Sequence, residues 1–351
     1  MPTELCRRLG IEAPIIQAPM NWATDARLVA AVSQAGGLGT LGPNAGRDVA
    51  VPSTDPAVTG ERLRHEIQEV RRLTSKPFAV NFPIGHGANR VFSDRAIEVA
   101  IEEKIAIAIV VMGSPEIYTA RLKKAGVFVI HAVGSAKHAR KAESHGCDAV
   151  VAEGFEAGGH SGFDELPMSV LVPQVVDAVG IPVIAAGGGS DGRGLGMALA
   201  TGAGAAYMGT RFLATTESPV HQSVKEALVA ADDCATVSWG RRTGVARTLR
   251  NAFTDRFREM ELSGATAAEL NGLIADYSKV QGGRRVGGLR IGDLEQGEVY
   301  AGAGAGMIRE ILTCADVIEQ TLAQARAVHA GIGPILSASV SHRSKVIENV
   351  A

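Results

Sequence analysis

Aromatic residues make up only 4% of the 351-residue chain. That scarcity argues against a stacking platform for single-stranded nucleic acid. An excess of one charge is also missing. Net charge is −2 at pH 7, and no dense Lys/Arg stripe occurs, so no nucleic-acid partner is expected. The four cysteines, Cys6, Cys147, Cys234 and Cys314, are scattered, with no CxxC pair. Their spacing suits neither a zinc site nor a disulfide framework, so no metal is expected, and it fits a reducing cytoplasm. No run reaches the roughly 18 uninterrupted apolar residues that span a bilayer. The strongest run, Ile105–Met112, reads as a buried strand. The N-terminal MPTELCRRLGIEAP has no apolar stretch of signal-peptide length, so the expectation is a cytoplasmic protein without a membrane partner.

Short apolar runs alternate instead with helix-period segments. The strand candidates are Pro14–Ala18, Gly37–Gly42, Phe78–Phe82, Ile105–Val111, Val127–Val133, Ala149–Glu153, Pro182–Ala186 and Ala205–Gly209. They are continuous apolar runs, the pattern of parallel strands buried on both faces. Helices are predicted over Asp25–Gln34, Glu61–Leu73, Glu116–Lys124, Ser135–His145, Leu166–Val179 and Asp191–Ala200. Eight strand–helix units predict an α/β fold, a TIM (β/α)8 barrel, in preference to a doubly wound sheet. The chain after the eighth strand is too long for one closing helix. Glu217–Ala231 looks helical, Thr236–Gly302 is polar with few strand-like runs, and Gly306–His329 reads as a long amphipathic helix. The expectation is a barrel built from residues 1–215 and 304–351, with a mainly helical cap over 216–303. The tail after Gly331 is expected to be loosely held.

GGLGTLG places Gly37, Gly39 and Gly42 in GxGxxG spacing. A dinucleotide fingerprint needs strand, glycine turn, then helix; here a helix precedes and a loop follows, so tight strand packing explains it better. VIAAGGGSDGRG ends a strand in Gly187, Gly188 and Gly189, with Ser190 or Asp191 placed to cap a helix. The next strand ends in Gly209 and Thr210. In a barrel, the loops after strands seven and eight commonly hold phosphate. Ala18, Pro19 and Met20 form an apolar elbow after the first strand, and Asn81 is a polar residue closing the third.

EGFEAGGHSG, Glu153 to Gly162, follows strand six directly. Its glycine pair permits close backbone approach to a ligand, and His160 lies on the expected catalytic face. Glu153 could orient the loop or bond a ligand, Glu156 could equally be solvated, and His131 reads as a core histidine. Arg241, Arg242 and Arg247 could attract a phosphate-bearing substrate such as CoA or NADPH, but a solvated basic face explains them better.

These pieces together resemble the FMN-dependent nitronate monooxygenase (2-nitropropane dioxygenase) family. That family also includes flavin-type enoyl-ACP reductases and NADH:quinone reductases. The resemblance rests on PIIQAPM, AGGLGTLG, FAVNF, DAVVAEGFEAGGHSG, IPVIAAGGGSDGRG, YMGTRFLATTESPVH and GDLEQGEVYAGAGAGMI, in the family's order. It implies a capped TIM barrel. By the same resemblance Ala18, Pro19 and Met20 lie against the FMN ring, and Asn81, Ser135, Gly158 and Gly159 contact it. Glu153 belongs to the same cofactor set. Gly187, Gly188, Gly189, Gly209 and Thr210 hold its phosphate, and His160 is catalytic. One nitronate monooxygenase class has a His-containing fourth-strand segment and an aromatic-Gly-Gln motif; this chain has IVVMGSP and AGAGAGM, closer to the reductase-like branch. Ala132 stands where related members often carry Lys.

Two activities follow from the resemblance. The first is oxidation of an alkyl nitronate to a carbonyl compound and nitrite. The second is NADH- or NADPH-driven reduction of an enoyl thioester or a quinone. A homodimer is expected from how often enzymes of this size pair.

Overall fold

A computed structural model describes residues 2–48, 55–85, 87–280 and 282–337. Part of the loop-like stretch after Gly42 and most of the tail read as loosely held lie outside the described residues. Among the described residues eleven strands occur in chain order: β1 Ile15–Gln17, β2 Gly39–Leu41, β3 Phe78–Pro83, β4 Ile107–Val111, β5 Phe128–Val133, β6 Ala149–Glu153, β7 Gly159–His160, β8 Val183–Ala186, β9 Ala205–Met208, β10 Thr236–Trp239 and β11 Ala246–Leu249. Eight of them form one parallel sheet in the order β1-β9-β8-β6-β5-β4-β3-β2. Ile16 bridges Leu38, the residue before β2, and so brings the two edges together into a barrel. All eight strands predicted from the apolar runs are present.

Strand alternation divides the core in two. Inward residues such as Ile16, Ile109, Ile130, Val151 and Ile184 fill the barrel. Outward residues such as Val80, Val110, Val129, Val150 and Val183 pack beneath the helices. Helix starts follow ordinary capping chemistry. Asp25 accepts from Leu28 N at 2.9 Å, and Ser135 accepts from His138 N at 3.2 Å.

Three elements differ from the sequence expectation. A helix over Arg90–Glu102, between β3 and β4, was not anticipated. Its charged face hides it: Arg95 and Glu102 pair with Glu61 and Arg64 of the neighbouring helix Pro56–Leu73. The last helix runs over Cys314–Ser337 rather than Gly306–His329, because Ala303–Met307 forms a glycine-rich 3-10 turn. The helix also continues through the start of the tail that was expected to be loose.

The third difference lies between residues 216 and 303. Helices Gln222–Val229, Ala252–Leu262 and Ala267–Ala275 are present there. So is a three-stranded antiparallel sheet, β10-β11-β7. Trp239 anchors this layer, with its ring 5.4 Å from Phe253 and 4.8 Å from Phe257. The outer strand β7 belongs to the barrel loop, so the sheet stitches that loop to the segment above it. Among the described residues, no helix is long and apolar enough to cross a membrane.

Candidate active site

The C-terminal ends of the barrel strands gather most of the residues singled out from sequence. Ala18 follows β1 and donates its N–H to Met208 O at 2.9 Å. A Cβ placed on Gly209 would lie 3.5 Å from Ala18 Cβ and 3.7 Å from Met20 Sδ, so these residues form one patch of the rim. Asn81 is buried, and its amide nitrogen donates to Ile109 O at 2.9 Å, across the β3–β4 pair. Ser135 serves as a helix cap, as described above. Two bulky residues at the rim, Trp22 and Met112, hold left-handed backbone with φ of 67° and 63°. Such conformations are costly and concentrate at functional sites.

The glycine loop after β8 turns through left-handed backbone at Gly187 and Gly188. Gly189 N donates back to Gly187 O at 2.8 Å, and Asp191 caps the helix Gly192–Ala200 by accepting from Arg193 N at 2.9 Å. At the helix start Gly192 N donates to Gln324 Oε1 at 2.8 Å and Gly194 N to Asp191 at 3.3 Å, so an anion would be met by the backbone of the glycine turn rather than by the helix N-terminus. Glu156 is not a solvated side chain. Both its oxygens accept from Met168 N at 3.0 Å, and it lies against Gly187 and Gly188. Thr210 Oγ1 accepts from Gly302 N at 2.9 Å, tying the strand-eight loop to the returning chain.

His160 is positioned by pairing. β7 runs antiparallel to β11, with His160 opposite Ala246 and Gly159 opposite Arg247. Gly158 allows this approach: a Cβ there would fall 2.6 Å from the backbone carbon of Ala301. A Gly158→Ala substitution therefore has to push residues 301–302 away. The expected cost is about 1–3 kcal/mol, read as a lower melting temperature together with lost turnover.

The hydrogen bonds around His160 define its tautomer. Val245 O, which can only accept, lies 3.2 Å from Nδ1, so Nδ1 carries the proton. Nε2 then presents its lone pair to two donors, Arg285 Nη2 at 3.2 Å and the Tyr300 hydroxyl at 3.3 Å. Burial first, and then the Arg285 charge, hold the imidazole below the usual histidine range, against the Val245 carbonyl and Glu298. The ring still opens to solvent at the mouth. Arg285 is fixed from behind by Glu298, whose carboxylate is 3.2 Å away and only 3% exposed. Its guanidinium also sits 5.0 Å from the centre of the Tyr300 ring. Burial, then Glu298, raise the Tyr300 hydroxyl well above its usual range, so it remains a donor. The result is a neutral base with two oxygen-seeking donors beside it.

Arg285, Glu298 and Tyr300 were not singled out from sequence. They come from QGGRRVGG, read as a loop, and from GEVY, quoted only as part of a longer motif. The other arginines are committed elsewhere. Arg241 pairs with Glu165 at 2.6 Å, Arg242 donates to Ala265 O at 2.7 Å, and Arg247 donates to Phe155 O at 3.3 Å. His131 faces the helix layer rather than the mouth, buried, with Nδ1 unpartnered, and burial lowers its pKa to about 4. At the floor of the mouth, burial lifts the Glu153 carboxyl to about 7.

Comparison with known proteins gives the family. Residues 3–324 match the sequence pattern of the nitronate monooxygenase family. A Mycobacterium tuberculosis protein, (3aS,4S,5R,7aS)-5-hydroxy-7a-methyl-1-oxo-octahydro-1H-indene-4-carboxyl-CoA dehydrogenase, is 34% identical, over 92% of this chain and 96% of its own. A probable nitronate monooxygenase of Staphylococcus aureus is 33% identical, over 73% of this chain and 81% of its own. The structure of FabK from Thermotoga maritima superposes with a TM-score of 0.84 at 37% identity, covering 95% of this chain and 99% of that one. The chain belongs to the nitronate monooxygenase family and is an oxidoreductase.

Proposed function

We propose that this chain is an FMN-dependent oxidoreductase acting on the carbon beside a thioester carbonyl. Features of the site fit FMN. The glycine turn suits a phosphate, the Ala18–Met20 elbow offers an apolar face, and buried polar atoms at the mouth's floor lack protein partners, Tyr207 Oη and Thr40 Oγ1 among them. Gly187–Gly189, Gly209 and Thr210 would hold the phosphate; Ala18, Pro19, Met20, Asn81, Ser135, Gly158 and Gly159 would surround the ring. When bound, the flavin supplies hydride exchange with the substrate. Residues 216–303 would act as the cap that shapes the substrate pocket.

The observation that carries the substrate class is the charge balance around His160. Arg285 is paired with Glu298 and His160 is neutral, so the cluster offers hydrogen-bond donors without a net positive charge. That suits a neutral carbonyl better than a preformed anion. Arg285 and Tyr300 would shift their hydrogen bonds from Nε2 to the carbonyl oxygen, and the freed lone pair would handle the proton on the adjacent carbon. The M. tuberculosis relative, named for a carboxyl-CoA substrate, matches more of both chains than the S. aureus relative does.

Nitronate oxidation is the second reading, favoured by the relative named for it. Anaerobic mixing separates the two. FMN-loaded protein is mixed with NADH, NADPH, a saturated acyl-CoA or propyl-2-nitronate, and flavin absorbance is followed. Bleaching by a pyridine nucleotide or the acyl-CoA, with none by the nitronate, is the expected result. Bleaching by the nitronate alone would contradict the thioester reading.

A further inference from the structure

Outside the barrel strands, the start of helix Gly192–Ala200, the side of helix Cys314–Ser337 and the chain leading into it surround a cavity of about 350 Å³. That volume lies in the range of small-molecule pockets, roughly 300–1,000 Å³. Its wall carries three arginines, Arg193, Arg211 and Arg309, against two carboxylates, Asp191 and Glu310, a formal sum of +1. None of the glycines proposed for the flavin phosphate lines it. The turn Ala303–Met307 lies between the two places, with Gly304 against Gly188 and Ser190.

Arg211 is 6% exposed, and its guanidinium is only half satisfied. Nη2 donates to Ala214 O at 2.7 Å and to Glu310 O at 2.9 Å. Nε is buried without a partner. Nη1 has no protein partner either among the described residues, but it is not sealed from solvent. Arg284, equally buried at 4% exposed, shows the complete arrangement. Its Nε donates to Ile274 O, its Nη1 to Gln296 O, and its Nη2 to both Leu273 O and Asp276 O. A buried donor normally has an acceptor, so the open edge of Arg211 points to a group that the chain does not supply. Around the cavity, Arg193 is neutralised by Asp191 at 2.6 Å. Arg309 is exposed at the rim and bonds only its neighbour's carbonyl, Ile308 O, at 3.2 Å. Gln324 accepts from Gly192 N through Oε1, which leaves its NH2 group as a further donor.

We propose that this cavity is an anion site separate from the catalytic mouth, taking the phosphate group of a small phosphorylated ligand between the open edge of Arg211 and the Arg309 guanidinium. Guanidinium is the side chain whose planar fork matches phosphate oxygens in pairs. An anion there also answers a buried positive charge that no carboxylate pairs with among the described residues. Burial lowers the Arg211 pKa, and the Glu310 charge opposes that without cancelling it, in keeping with a charge left short of compensation. The cavity has the volume of roughly a dozen waters in the liquid, so it holds more than a lone phosphate. A diphosphate, or a phosphate with part of the molecule that carries it, fits that size. The inference goes beyond the oxidoreductase reading and does not rest on it.

The test is calorimetric titration of the FMN-loaded protein with inorganic pyrophosphate, for wild type, Arg309→Ala and, as a control on the cap, Arg241→Ala. With FMN in place the glycine turn is filled, so pyrophosphate reports on the cavity. Arg309 is exposed, and its removal leaves the fold intact. Wild type and Arg241→Ala are expected to bind one pyrophosphate with equal affinity. Arg309→Ala is expected to bind it about tenfold more weakly, the effect of losing one charge-assisted contact. CoA and NADPH, titrated alongside, separate the sources: the one whose affinity falls in Arg309→Ala is the occupant, and a free inorganic anion is the occupant where neither falls. Crystals soaked in selenate, located by its anomalous scattering, give the position, expected between Arg211 and Arg309. No pyrophosphate binding to wild type, unchanged binding in Arg309→Ala, or selenate found only elsewhere would overturn the proposal. Should the protein hold no FMN, the FMN reading falls, while the Arg309→Ala difference and the selenate position still decide this one.

Discussion

Replacing His160 with Asn lowers kcat by about 10²- to 10⁴-fold, the range that a positioned general acid–base contributes. FMN affinity is expected to stay within a few-fold, because the proposed phosphate cradle is a separate element. The size of the effect follows from the hydrogen-bond arrangement. Val245 O fixes the proton on Nδ1, so the Nε2 lone pair is available in the resting protein. Asn presents an amide of similar polarity but cannot carry a proton between substrate and solvent. Steady-state turnover with the substrate that bleaches the flavin, alongside a flavin-binding titration, checks both parts. Unchanged turnover would remove His160 from the chemistry.

Replacing Arg285 with Ala has the second large effect, on stability and on pH dependence together. Glu298 is 3% exposed, and Arg285 is its ion-pair partner. Breaking a buried pair leaves an uncompensated charge, and with Arg285 itself partly open to solvent the expected loss is about 2–4 kcal/mol. The activity consequence has a definite sign. The Arg285 charge holds the His160 pKa down, so its removal raises that pKa. His160 then stays protonated to higher pH, and the acid limb of the kcat/KM profile moves upward. The double variant Arg285→Ala/Glu298→Ala is expected to recover most of the stability but not kcat/KM. Denaturant unfolding and pH–rate profiles of wild type and the two variants separate a structural role from a role toward substrate. An unmoved acid limb in Arg285→Ala would show that Arg285 does not act on His160.

The strands of the barrel were legible because each is a continuous apolar run bounded by turn residues. Val183–Ala186 and Ala205–Met208 need no long-range information to be recognised. The helix Arg90–Glu102 was not read from sequence, although Arg90–Asp94 and Arg95–Glu98 are local pairs at helical spacing; its other charges answer the helix Pro56–Leu73. The strands β10 (TVSW) and β11 (ARTL) mix polar and apolar residues instead of forming a continuous apolar run, and β7 has only two residues.

The site divides in the same way. Gly187, Gly188 and His160 stood out because glycine runs at strand ends are local signals. Arg285 and Tyr300 lie 125 and 140 residues from His160 along the chain, and only the fold brings them together. Tyr300 arrives through a bridge to Thr248 of β11, the strand that also holds β7. Glu298 and Tyr300, two residues apart in GEVY, place a carboxylate and a phenol in an otherwise apolar run. That was the one local signal that could have pointed to them.

The most direct measurement is a crystal structure of the protein grown with FMN. The account predicts the phosphate on the backbone N–H groups of Gly187–Gly189 and Gly209. It places the ring between the Ala18–Met20 elbow and Glu153, with His160, Arg285 and Tyr300 facing it. FMN bound away from the strand ends, or His160 turned from the ring with Nε2 buried against protein, would contradict it.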